Sequence, residues 1–186
     1  LLISFAGLAV RIVVVGYAAK RTSGGNTRGQ IADTLNTTGL YSLVRHPLYL
    51  GNFVIWMGLT LMLQSWQFTL LVALIFTLYY ERICFCEEAF LRQRFGDQFV
   101  EWAARTPAFI PRFAGWRPPT MSFSFRKVLG KEYAGLFAIV TAFTVIELLD
   151  EILVDHNWHL DPTWTVIFVV NLAIYVTIRL LKRRSK

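Results

Sequence analysis

Arg45-His46-Pro47-Leu48-Tyr49-Leu50-Gly51 runs straight into 52–80, a stretch of 29 residues without a charge. One membrane span needs only about 20 apolar residues, and Gln64-Ser65 interrupts the run near its middle. The stretch therefore predicts two short helices, 49–63 and 66–80, closed into a tight hairpin. Pro47 restricts His46 to extended backbone and removes a donor where the first helix begins. Arg and His that face lipid cost several kcal/mol, so a charged loop at the mouth of an apolar hairpin lines a polar cavity and acts there.

Outward from the hairpin, 1–19 is apolar apart from Ser4 and Arg11, and Lys20-Arg21 anchor its end. The polar, Gly/Asn/Thr-rich stretch 22–39 reads as a loop. Residues 81–98 are strong helix formers that extend the second hairpin helix into the cytosol. Pro107, Pro111, Pro118 and Pro119 mark an irregular interfacial segment rich in Arg and aromatics, and apolar runs at 132–153 and 163–181 close the chain. If the first helix runs outside to inside, 18 of the 19 Lys and Arg residues fall on one side, and the exception, Arg11, lies within a span. That asymmetry predicts five membrane segments with the C-terminus in the cytosol.

The composition agrees: 186 residues, 55% of them hydrophobic, give one all-α polytopic membrane bundle and no second domain. The net charge of +7 follows the membrane topology, so nucleic acid is not an expected partner. Membrane lipids are expected partners, and no obligate protein partner follows. Cys84 and Cys86 on a cytosolic helix predict no disulfide, and the distant His46, His156 and His159 predict no metal site. The chain opens on Leu1 inside an apolar run without a cleavable signal pattern, so either a trimmed N-terminus or an upstream start of the first helix is expected.

Three groups carry chemistry. The first is Arg45, His46, Tyr49 and Asn52 at the hairpin mouth, whose bland reading is a snorkelling Arg with an interfacial Tyr. The second is Glu81, Glu87 and Glu88 on the outgoing helix. Glu81 and Glu88 share a face at a spacing of seven, and the bland reading is a solvated helix with a Glu88–Arg92 pair. The third is Arg11, about 13 Å of helix rise from the Lys20 end and too deep to snorkel. It pairs with an anionic ligand or with Glu147 or Asp150 of a neighbouring helix. No Gly-rich nucleotide loop, Gly-x-Ser-x-Gly or metalloprotease His-Glu motif is present.

The stretch from Thr38-Gly39-Leu40-Tyr41 through Arg45-His46-Pro47-Leu48-Tyr49-Leu50-Gly51, then Glu87-Glu88 with Leu91 and Phe95-Gly96, then Phe109-Ile110-Pro111, resembles a known signature. It is that of the isoprenylcysteine carboxyl methyltransferase-like and phospholipid methyltransferase-like integral membrane enzymes. The likeness spans 7–113. It divides the chain into a methyltransferase core over 1–113, an interfacial linker over 114–131 and two additional membrane helices over 132–186.

The resemblance implies an S-adenosylmethionine-dependent O-methyltransferase that releases S-adenosylhomocysteine. Leu43, Val44, His46, Tyr49, Glu87 and Glu88 would hold the cofactor at the cytosolic face, while Arg45 and Arg11 would act on the acceptor. The acceptor would be a lipid-like molecule from the bilayer carrying an anionic oxygen. A bacterial lipid phosphate such as that of lipid A is favoured, in a prokaryotic inner membrane, and the carboxylate of an isoprenylcysteine is the alternative. A non-enzymatic lipid-binding protein or small transporter would explain the hydrophobicity and charge placement, but not the paired Arg-His-Pro and Glu-Glu elements.

Overall fold

The computed structural model describes residues 1–19, 32–154, 156 and 161–184. Lys20, Arg21, Arg28, Trp158, His159 and much of the loop expected over 22–39 lie outside the described residues. The described chain is helical: α1 (Leu2–Tyr17), α2 (Pro47–Met62), α3 (Trp66–Phe95), α4 (Asp97–Arg105), α5 (Phe125–Leu153) and α6 (Pro162–Arg184). α3 and α6 are each long and apolar enough to cross a membrane, and α1 and α2 are shorter apolar helices.

Helix boundaries follow local chemistry. α2 begins at Pro47, the first helical position, where the missing N–H has no intrahelical partner to lose. The Ser65 hydroxyl caps α3 by accepting from the Phe68 amide at 3.3 Å. α3 stops at Phe95, three residues earlier than expected, because Gly96 adopts φ +54°. Open space surrounds that position, so its backbone conformation and not crowding calls for glycine. α4 then forms over residues for which the sequence suggested no separate helix. It buries Phe99 and Trp102, and the Trp102 indole donates to the Tyr41 carbonyl at 3.1 Å. α5 begins seven residues ahead of the expected 132, capped by Ser124.

α1 and α2 pack backbone to backbone through small residues, the arrangement that lets apolar helices associate where lipid offers no hydrophobic gain. A Cβ on Gly58 would lie 2.3 Å from the Ser4 hydroxyl, and one on Gly7 would lie 2.6 Å from the Gly51 carbonyl. The Ser4 hydroxyl in turn donates to the Ile55 carbonyl at 2.9 Å. Gly51, the last residue of the hairpin-mouth signature, leaves room for the Arg11 side chain, 2.7 Å from where its Cβ would be. We expect Gly58→Ala to destabilise the protein by about 1–3 kcal/mol, the usual result of overpacking. Thermal melting in detergent measures this, and an unchanged melting temperature would show that the helix pair can separate freely.

On the far side α1 meets α5 through Leu8, Ile139 and Phe143, with Ile55, Leu59 and Trp164 packed around them. Toward the expected cytosolic face, the segment after α4 runs back along the loop that precedes α2. The Arg45 amide donates to the Pro107 carbonyl at 2.8 Å, and the Arg112 amide donates to the Leu43 carbonyl at 2.9 Å. The Arg117 amide reaches the Ser42 hydroxyl at 2.9 Å. The irregular proline-rich segment is therefore a strap that fixes the position of Arg45 and His46.

Candidate active site

The entry to α2 and the outer half of α3 build the site together. His46 is the residue before α2 and is 4% exposed in its side chain. Its Nε2 lies 2.9 Å from Glu88 Oε1, and its Nδ1 lies 3.7 Å from Glu87 Oε2. The Tyr49 hydroxyl, one turn into α2, donates to Glu87 Oε2 at 2.8 Å, and the Tyr49 ring stacks on His46 at 5.5 Å. Arg45 Nη1 donates to the other oxygen of Glu88 at 3.1 Å, and Arg45 Nε is buried without a partner. Five of the eight predicted site residues thus form one cluster. The solvated-helix reading of Glu87 and Glu88 fails, because both carboxylates turn inward to the loop.

Leu43 and Val44 sit in the same strapped loop with buried side chains, Val44 almost completely so. Arg11 stands apart from the cluster. Its Nε and Nη2 donate to the two oxygens of Glu132 at 2.8 and 2.9 Å, and its Nη1 donates to Asn52 Oδ1. The partners expected from the sequence, Glu147 and Asp150, are therefore corrected to Glu132. That carboxylate comes from the first turns of α5, whose early start brings it alongside α1.

Sequence reasoning placed Asn52 at the hairpin mouth without a role and did not single out Tyr80 or Glu132. Asn52 follows Tyr49 by three residues and so shares its helix face, and its amide donates to the Tyr80 hydroxyl at 3.0 Å. Tyr80 precedes Glu87 by seven on α3, the same spacing that drew attention to Glu81 and Glu88. Its ring packs 4.9 Å from Tyr49. Glu132, 4% exposed, was legible only as a carboxylate opening an apolar run, a position that calls for a counter-ion.

Electrostatics make His46 a fixed cation. Burial opposes the charged ring, yet hydrogen bonding to Cys84, Glu87 and Glu88 prevails and pushes its pKa up to about 11 from 6.5. A group raised on folding stabilises fully below its unfolded pKa and loses that contribution as pH rises through the folded one. The melting-temperature gap between wild type and His46→Gln is therefore expected to be widest below about pH 6.5 and to narrow toward about pH 11. A gap independent of pH would mean a neutral ring.

An open cavity of about 430 Å³ adjoins the cluster, lined by Arg45, Thr106, Pro107, Ile110, Pro111 and Arg112 among others. Arg45, Arg105 and Arg112 line it together with the apolar Pro107, Ile110 and Pro111, and Arg45 donates to the Glu88 carboxylate. Such a site can hold a zwitterionic ligand and orient an oxyanion.

The model of phospholipid methyltransferases matches residues 1–98. The cobalt-zinc-cadmium resistance protein CzcN of Cupriavidus metallidurans is 35% identical over 151 residues, 77% of this chain and 67% of that protein. The nickel-cobalt-cadmium resistance protein NccN of Alcaligenes xylosoxydans xylosoxydans is 42% identical over 48% of this chain and 41% of its own length. A protein-S-isoprenylcysteine O-methyltransferase of Schizosaccharomyces pombe is 35% identical over 41% of this chain, a match spanning 33% of the yeast protein. No solved structure matches.

Proposed function

This chain belongs to the phospholipid methyltransferase family, and from that premise we propose that it is an S-adenosylmethionine-dependent O-methyltransferase acting on an anionic, lipid-like acceptor. The observation that carries the reading is the Arg45–His46–Tyr49 group joined to Glu87 and Glu88 at the entry of an apolar hairpin. The donor set suits the cofactor. Arg112 on the cavity wall suits its carboxylate, Ile110 and Pro111 suit its base, and the Glu87–Glu88 pair, joined to that wall through Arg45, suits its ammonium or ribose hydroxyls. When bound, S-adenosylmethionine supplies the methyl group, whose bond to sulfur breaks as an oxygen lone pair of the acceptor attacks.

The chain's own residues position and shield. The strap from Pro107 to Arg117 fixes the loop, and His46 as a cation holds both glutamates in place. Arg45 is left with a buried, unpartnered Nε that suits an acceptor oxyanion. A carboxylate or phosphate is ionised at neutral pH, so the acceptor needs no general base. Holding two reactants in line contributes several kcal/mol toward the barrier. We place five helices, α1, α2, α3, α5 and α6, across a prokaryotic inner membrane with the site and C-terminus in the cytosol. The cofactor then enters from water and the acceptor from lipid.

Of the two acceptors weighed from the sequence, the phosphate of lipid A gains no support. Isoprenylcysteine O-methyltransferases stand among the relatives, so the carboxylate of an isoprenylcysteine-like lipid becomes the favoured acceptor. The names of the two metal-resistance relatives specify no reaction. Mass spectrometry after incubation of purified protein with S-adenosylmethionine tests the reading on two acceptor pools, an S-farnesylcysteine and total bacterial lipid. A methyl ester on the farnesylcysteine supports the carboxylate. A methylated phospholipid phosphate restores the phosphate, and failure of S-adenosylhomocysteine to bind removes the reading altogether.

A further inference from the structure

Glu132, Arg11, Asn52 and Tyr80 form a chain of hydrogen bonds with a fixed direction. Glu132 uses both oxygens on Arg11 Nε and Nη2, which leaves Arg11 Nη1 for Asn52. A guanidinium has only donors, so the Asn52 atom that meets it is the carbonyl oxygen. The Asn52 amide nitrogen therefore faces the other way and donates to the Tyr80 oxygen. A phenol that accepts from an amide keeps its own O–H proton for another acceptor. Among the described residues none takes it.

Tyr80 stands where such a proton is useful. It lies seven residues before Glu87, about 10 Å deeper along α3, and its ring packs on Tyr49, whose hydroxyl is already committed to Glu87. His46 is committed to the glutamates, and Arg45 gives one nitrogen to Glu88. We infer that the Glu132–Arg11–Asn52 chain holds the Tyr80 phenol as a hydrogen-bond donor to the oxyanion of a long-chain acceptor. Tyr80 is then a substrate-contacting residue, and Glu132, Arg11 and Asn52 are positioning residues that act through it. The inference rests on the methyltransferase reading and adds a donor on the bilayer side of the carboxylate pair. It also gives α5, outside the residues the family model matches, a part in the site.

Asn52→Asp isolates this role. A carboxylate at 52 keeps Arg11 but only accepts, so the Tyr80 proton turns toward it and is lost to the ligand. Purified protein in neutral maltoside micelles is melted with increasing dodecanoate or dodecyl phosphate, and S-adenosylhomocysteine binding is measured separately by calorimetry. Wild type is expected to be stabilised saturably by at least one amphiphile, and the amphiphile that acts identifies carboxylate or phosphate. Tyr80→Phe and Asn52→Asp should each weaken that response roughly tenfold, the loss of one hydrogen bond to a charged group. S-Adenosylhomocysteine affinity should stay unchanged in both. Wild type unmoved by either amphiphile, or either variant responding like wild type, overturns the inference. Loss of S-adenosylhomocysteine binding in wild type overturns instead the reading it rests on. If Asn52→Asp does not fold, Tyr80→Phe decides alone.

Discussion

Glu132→Ala is expected to destabilise the protein by about 3–5 kcal/mol, because it leaves the Arg11 guanidinium inside an apolar bundle without its counter-ion. The pair is bidentate, at 2.8 and 2.9 Å, and Glu132 is 4% exposed in its side chain. Arg11→Leu should cost a similar amount by stranding the glutamate. The double variant Arg11→Leu/Glu132→Leu should recover most of the loss, since a buried pair replaced by apolar residues is often neutral or better. Melting temperatures of the three variants in detergent decide the matter. Single variants that melt like wild type would mean that water reaches Arg11, and a double variant as unstable as the singles would mean that packing and not charge is at stake. Activity of a folded double variant is a further readout. It should fall if Arg11 also acts on the acceptor, and the Asn52 link is the route by which it would act.

The hairpin was legible because its signals are local. An uncharged run broken by Gln64-Ser65 and opened by Pro47 specifies two helices whatever surrounds them. The grouping of Arg45, His46 and Tyr49 with Glu87 and Glu88 was also readable, since charged residues at both ends of one hairpin meet when it closes. What the sequence did not announce lies across longer separations. α4 was missed because its pattern is short and sits between a long helix and a proline-rich stretch. The end of α3 was placed late because Gly96 looks unremarkable until its positive φ is seen.

Glu132 illustrates the limit best. It is 121 residues from Arg11, and Glu147 and Asp150 were equally good counter-ions on composition alone. Only the depth at which α5 packs against α1, set by Leu8, Ile139 and Phe143, selects among them. The same packing makes the motif glycine at 51 intelligible. Its lack of a side chain admits both the α1 backbone and the stem of Arg11, and that lets Arg11 reach Asn52. A signature read in one dimension thus encodes a helix contact as well as the Arg45–His46–Tyr49 cluster.

Arg45→Lys is expected to lower turnover by about 100-fold while S-adenosylhomocysteine binding changes little, because it keeps the charge and removes the planar fork. Arg45 Nη1 is held by Glu88 at 3.1 Å, and its Nε is buried with no partner. A lysine can keep the Glu88 contact but has no second, fixed donor to replace Nε. If Nε orients the acceptor oxyanion, the substitution removes an alignment that matters for in-line transfer, where a small misplacement costs about two orders of magnitude in rate. Single-turnover methylation of an S-farnesylcysteine, paired with calorimetry of S-adenosylhomocysteine, separates the two effects. Equal losses in rate and affinity would make Arg45 a cofactor contact. A lysine variant with wild-type turnover would assign the buried Nε to packing and leave the Tyr80 hydroxyl as the acceptor's donor.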